Sequence, residues 1–112
     1  METKELSKKI GQKVYFTNDK ITPKIKKIIS TSNYTTNGEN LLIVKDVDLC
    51  DIILNSDNTD HITVKALSKT TIKHTNLIDG LYEEITMDNG SSVELCEVEG
   101  IFYIISSDGK KY

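Results

Sequence analysis

The chain predicts an all-β fold, a small antiparallel β-sandwich or jelly-roll-like domain, with a basic anchoring segment at its N-terminal end. Three observations carry that expectation. From Leu41 onward, short runs rich in Ile, Val, Leu, Tyr and Phe recur at roughly ten-residue spacing. Glycine turns at Asp79-Gly80, Asn89-Gly90 and Glu99-Gly100 punctuate the last of them. No stretch between the runs holds the helical period long enough for an α-helical crossover, so neighbouring strands are expected to be antiparallel.

In chain order, residues 1–12 suit a short helix, with Thr3 as a cap, Leu6 and Ile10 one turn apart, and Gly11 ending it. Lys13 to Thr17 reads as a short strand closed by Asn18-Asp19. Ile21, Ile25, Ile28 and Ile29 fit one face of a helix, with Pro23 tolerated in its first turn. The same β-branched run also suits a strand, and both assignments stand. Ser30 to Glu39 is polar and holds Asn37-Gly38; it reads as a linker. A leader of residues 1–40 and a β-domain of residues 41–112 follow from that break.

Strands are expected at Leu41–Lys45, Cys50–Asn55, Ile62–Ala66, Thr70–His74, Leu81–Met87, Ser92–Val98 and Ile101–Ser106. The last pair carries the most information. A two-residue loop at Glu99-Gly100 sets Val98 against Ile101, Cys96 against Tyr103 and Leu95 against Ile104. One face of this hairpin then holds Val93, Leu95, Phe102 and Ile104. The other holds Cys96, Val98, Ile101, Tyr103 and Ile105. Both faces are apolar and both need a cover. The opposite sheet supplies one; a sister subunit in a symmetric oligomer is expected to supply the other. Val98, Ile101, Tyr103 and Ile105 are therefore the expected oligomer interface. At Asn89-Gly90 a two-residue loop would oppose Ile85 to Glu94, so a bulge or longer loop is expected, pairing Ile85 with Val93 or Leu95.

With 112 residues the chain makes one domain, or one small domain plus a tail. A fold of this size buries about two-thirds of its unfolded surface, so association would add useful core. No apolar run is long enough to span a membrane, and Met1 to Gly11 does not form a signal peptide. A soluble, cytoplasmically synthesised protein is expected. Cys50 and Cys96 lie in strand-like runs and are expected to be reduced, packed thiols.

Every basic residue is Lys. Residues 1–40 hold eight Lys against four acids, and residues 41–112 hold six Lys against thirteen. A leader of net +4 on a body of net −7 suits docking on a negative surface, and a solvated tail fits the same charge split. Nucleic acid is a poor partner, because no Arg is present for bidentate recognition and the acidic body would repel phosphate.

No catalytic constellation is visible, and the protein is expected not to be an enzyme and to carry no cofactor or metal. His61 with Asp57 and Asp60 is the nearest approach to a metal-ligand set, but a polar turn explains it better. His74, beside Thr71 and Lys73, is expected to face solvent or a subunit. No G-x-S-x-G elbow or phosphate loop occurs. Cys50 and Cys96 sit among Asp48, Asp51, Glu94 and Glu97, which disfavours a thiolate. Glu83 and Glu84 are adjacent in a strand and point to opposite faces.

Asp51 to Ser107 carries a recognisable succession of motifs: Ile53-Leu54-Asn55-Ser56, His61-Ile62-Thr63-Val64-Lys65, Ile78-Asp79-Gly80, Gly90-Ser91-Ser92-Val93-Glu94-Leu95, and Ile101-Phe102-Tyr103-Ile104-Ile105-Ser106. In this order and spacing it resembles a β-module of bacteriophage virion appendages: head fibres, capsid decoration proteins and tail fibres. Asn55 stands where that module usually has Pro, and Phe102 where it usually has Trp. The resemblance implies a homotrimer on a virion, contacting the major capsid protein or another virion protein, with its N-terminal segment as the attachment end. Lys8, Lys9, Lys13, Lys24, Lys26 and Lys27 then become the expected capsid-anchoring residues. The alternative is a host-surface or glycan-binding module displaying Asp57–Asp60, Lys69 and Asp108–Lys111.

Overall fold

Alternation of side chains writes the fold. In Leu41–Val44, Cys50–Ile53 and His61–Ala66, every second residue is buried and its neighbours are half-exposed, the signature of strands with one face on a core. The computed structural model describes residues 25–109, and these form nine strands and no helix. They are β1 (Lys26–Ile29), β2 (Asn33–Thr35), β3 (Leu41–Val44), β4 (Cys50–Ile53), β5 (His61–Ala66), β6 (Thr70–Ile78), β7 (Tyr82–Met87), β8 (Ser92–Val98) and β9 (Ile101–Asp108). The described part is all-β, as expected, and all seven anticipated strands are present.

The strands divide between a five-stranded sheet, ordered β1-β3-β5-β8-β9, and a four-stranded sheet, ordered β2-β4-β6-β7. The expectation of an antiparallel domain is corrected here. β1, β3 and β5 pair in parallel, as do β2, β4 and β6; only β7, β8 and β9 run antiparallel to their neighbours. A parallel neighbour needs a crossover, and in this chain each crossover is a strand of the opposite sheet. The chain thus winds through three stacked coils, each giving one strand to each sheet, before the antiparallel strands close one end.

Stacking puts like on like. Leu42, Val64 and Val93 stand in one buried row, and Val44 and Ala66 in the next. On the facing sheet Ile52, Ile72 and Ile85 align, with Cys50, Thr70 and Met87 beside them. Each large side chain in these rows contributes about 1.5–3 kcal/mol of transfer free energy. Successive corners also bond to one another, with Lys45 N–H to Ile29 C=O at 3.0 Å, Leu67 N–H to Val44 C=O at 2.8 Å and Asp51 N–H to Ser32 C=O at 2.9 Å. Backbone polar groups at the bends are thereby satisfied.

Residues 30–39 are more than the linker expected of them. β2 extends the four-stranded sheet, and β1 extends the other, so the β-domain begins by Lys26, ahead of the boundary drawn at residue 40. The Thr36–Glu39 corner is internally satisfied. Thr36 Oγ1 accepts from Asn55 N–H at 2.8 Å and from the buried Thr59 hydroxyl at 2.9 Å. The Glu39 carboxylate, buried, accepts from the Tyr34 hydroxyl and from Asn37 N–H at 2.7 Å. The helix expected near residues 1–12 and the strand at Lys13–Thr17 lie outside the described residues. For Ile21 to Ile29, the described part begins at Ile25 and is strand over Lys26–Ile29.

Asn89-Gly90 makes no hairpin. It carries the chain from β7 in one sheet to β8 in the other, so Ile85 pairs with Ile72 while Val93 pairs with Val64. The Glu99-Gly100 turn, by contrast, has the expected two-residue form. Both residues take positive φ, 53° and 84°, which matches a type I′ hairpin turn and explains the glycine. Val98 faces Ile101, Cys96 faces Tyr103 and Leu95 faces Ile104. A register shift follows between Leu95 and Glu94, which meets Ser106.

Candidate assembly surface

The β8–β9 hairpin has its two apolar faces in different surroundings. Val93, Leu95 and Phe102 are buried against the four-stranded sheet, with Ile104 half-buried beside them. The turn after β6 helps close this side: Phe102 C=O accepts from Asp79 N–H at 2.9 Å, and Asp79 Oδ1 accepts from Ile104 N–H at 2.9 Å. The opposite face is open. Val98 is 54% exposed, Tyr103 40% and Ile105 57%, with Ile101 half-buried among them. All four residues expected at an oligomer interface therefore lie on a surface that the described residues leave uncovered.

A second apolar area lies on the same sheet, at its other edge, and sequence reasoning missed it. Register places Ile28 beside Ile43 and Lys26 beside Leu41 on the outward side of β1 and β3. Ile28 is 56% exposed, and Leu41 and Ile43 are half-buried. Ile28, Leu41 and Ile43, with Lys26 and Lys27, line a shallow hollow of about 500 Å³. A signal was present: Leu41-Leu42-Ile43-Val44 is apolar at every position, the same two-sided pattern that singled out Ile101 to Ile105.

The middle of this face is polar. His61 Nε2 lies 2.6 Å from Glu94 Oε2, and Glu94 Oε1 accepts from the Ser106 hydroxyl at 3.1 Å. Asp57 and Asp60, the carboxylates considered with His61 as metal ligands, do not pair with it; its partner is Glu94. Among the described residues no group of three or more His, Cys, Asp or Glu side chains is placed to hold a metal ion. His74 departs from the expected exposed position. It is half-buried, with its ring edge-on to Phe102 at 4.9 Å between centroids and its Nδ1 buried without a hydrogen-bond partner.

Both cysteines are free thiols. Cys50 is buried, and that burial, reinforced by the neighbouring Asp51 charge, pushes its thiol above the ordinary range, the opposite of a nucleophile's requirement. Of the six lysines expected to anchor the chain, Lys8, Lys9, Lys13 and Lys24 lie outside the described residues. Lys26 and Lys27 are exposed on the edge strand β1. Lys27 is engaged locally, its ammonium 4.8 Å from the Tyr34 ring centroid and 3.4 Å from the hydroxyl. Edge lysines of this kind also discourage uncontrolled strand addition.

No protein-family model matches the chain, and a search of curated proteins finds no match.

Proposed function

We propose that the chain is a structural protein of a bacteriophage virion, a capsid-attached head fibre or decoration protein whose β-domain associates as a homotrimer. The observation that carries this is the uncovered apolar surface of Val98, Ile101, Tyr103 and Ile105. Exposed side chains of this size, gathered on one rigid hairpin, mark a contact with another protein. The resemblance of Asp51 to Ser107 to appendage modules supplies the setting, and the lysine-rich segment ahead of β1 supplies an attachment end for an acidic shell.

Immunogold imaging of virus particles from the culture that encodes the chain tests the placement. Label on the head shell is expected, and particles without label would contradict it. A chain lacking residues 1–24 keeps every strand described here and is expected to fold but not to decorate. Decoration by that truncated chain would overturn the anchoring role. Deletion through residue 38 is a poor substitute, since it also removes β1 and β2.

A further inference from the structure

Resting on the trimer proposed above, we infer that the second half of each subunit contact is the β1–β3 end of the same sheet: Ile28, Leu41 and Ile43 of one copy receive Val98, Tyr103 and Ile105 of the next. A ring of three has heterologous contacts, so each subunit must present two different, mutually complementary areas. The five-stranded sheet presents two such areas, on its two outermost strand pairs, β1–β3 and β8–β9.

Three properties make them complementary. In shape, the β1–β3 end is hollowed, with about 500 Å³ between Lys26, Lys27, Ile28, Leu41 and Ile43, while Val98, Tyr103 and Ile105 stand exposed on the other. In chemistry both are largely apolar, Ile and Leu on one and Val, Ile and Tyr on the other, so contact removes apolar surface from water on each side. In charge they are opposite: residues 25–29 and 41–45 hold three lysines and no carboxylate, whereas residues 92–108 hold four carboxylates and no lysine. Like ends would repel and unlike ends attract, which sets the order of subunits. The His61–Glu94 pair between the two areas argues against a dimer packed face to face, because that dimer would take the Glu94 carboxylate and the imidazole bonded to it out of water.

Native mass spectrometry and carbodiimide cross-linking of the full chain, mixed from light and heavy isotope preparations, test this. The wild type is expected at three times the monomer mass, with mixed-isotope links joining Lys26 or Lys27 to Glu94, Glu97 or Glu99. Ile43→Glu is expected to abolish the trimer while leaving the far-ultraviolet circular dichroism unchanged. Lys26→Glu, a milder change on an exposed side chain, is expected to weaken association and eliminate the Lys26 links. A wild-type monomer would overturn the trimer itself. A wild-type dimer, or a trimer that survives Ile43→Glu and links only residues of like ends, would overturn the assignment of the β1–β3 area.

Discussion

Cys96 on β8 stands directly opposite Tyr103 on β9, on the side of the sheet turned away from Phe102 and the core. The pair is held by a short turn and a continuous ladder, so the surface around it is preformed. Tyr103→Glu and Ile105→Glu should therefore separate association from folding. Both side chains are solvent-exposed within one subunit, and surface changes of this kind shift monomer stability by only about 0.5 kcal/mol. At a subunit contact the same carboxylate would be buried without a partner. The expected outcome is a folded monomer, checked by circular dichroism and light scattering. An unchanged oligomer would contradict the two-sided use of the hairpin.

Phe102, on the covered side, should behave in the opposite way. It is fully buried and meets His74 edge-on. Phe102→Ala is expected to cost about 3–5 kcal/mol, read as a lower urea midpoint. Measured in the monomeric Tyr103→Glu background, Val98→Ala should cost less than about 0.5 kcal/mol. Equal costs for the two would mean that the faces have been assigned wrongly.

Thr36 joins two coils by accepting from both the Asn55 amide and the Thr59 hydroxyl. Thr36→Val keeps the shape and removes the acceptor, leaving the part-buried Asn55 N–H unmet, while the Thr59 hydroxyl retains Asn58 Oδ1 at 2.8 Å. The expected loss is about 1–3 kcal/mol in chemical denaturation, with Thr36→Ser close to wild type.

Acid sensitivity should report on Glu39. Burial opposes its charge, but the hydrogen bonds from Tyr34 and from Asn37 N–H outweigh that, and its carboxyl is held below the ordinary value. A depressed carboxyl contributes stability above the ordinary glutamate range, about pH 4.3, and that contribution is lost as pH falls through the folded value. Glu39→Gln should flatten the acid limb of a stability–pH curve. Tyr34 is raised, by burial and then by its bond to Glu39, so its contribution holds below about pH 10 and fades as pH rises through the folded value. Tyr34→Phe should remove that alkaline dependence. Unchanged limbs in both variants would rule out this pair as the source.

Much of this was legible from residue order. The seven strands from Leu41 onward, the register of Val98 against Ile101 and the open face at Tyr103 follow from period-two alternation and a turn whose two residues demand positive φ. Strand direction was not legible, because alternation is the same for parallel and antiparallel neighbours. The coil repeat was hidden by its irregularity: Lys26 pairs with Leu41, fifteen residues on, while Leu41 pairs with Thr63, twenty-two on. β2 was masked by a polar composition that suits a stacked corner as well as a linker. His61 and Glu94 are thirty-three residues apart and meet only because β5 lies beside β8.

Sedimentation of the full chain across micromolar concentrations, beside Tyr103→Glu, tests the assembly role of the outer β8–β9 face most directly. The wild type should sediment as a trimer and the variant as a monomer of unchanged fold. A wild type that stays monomeric throughout, or a Tyr103→Glu chain that sediments with it as a trimer, would contradict that role.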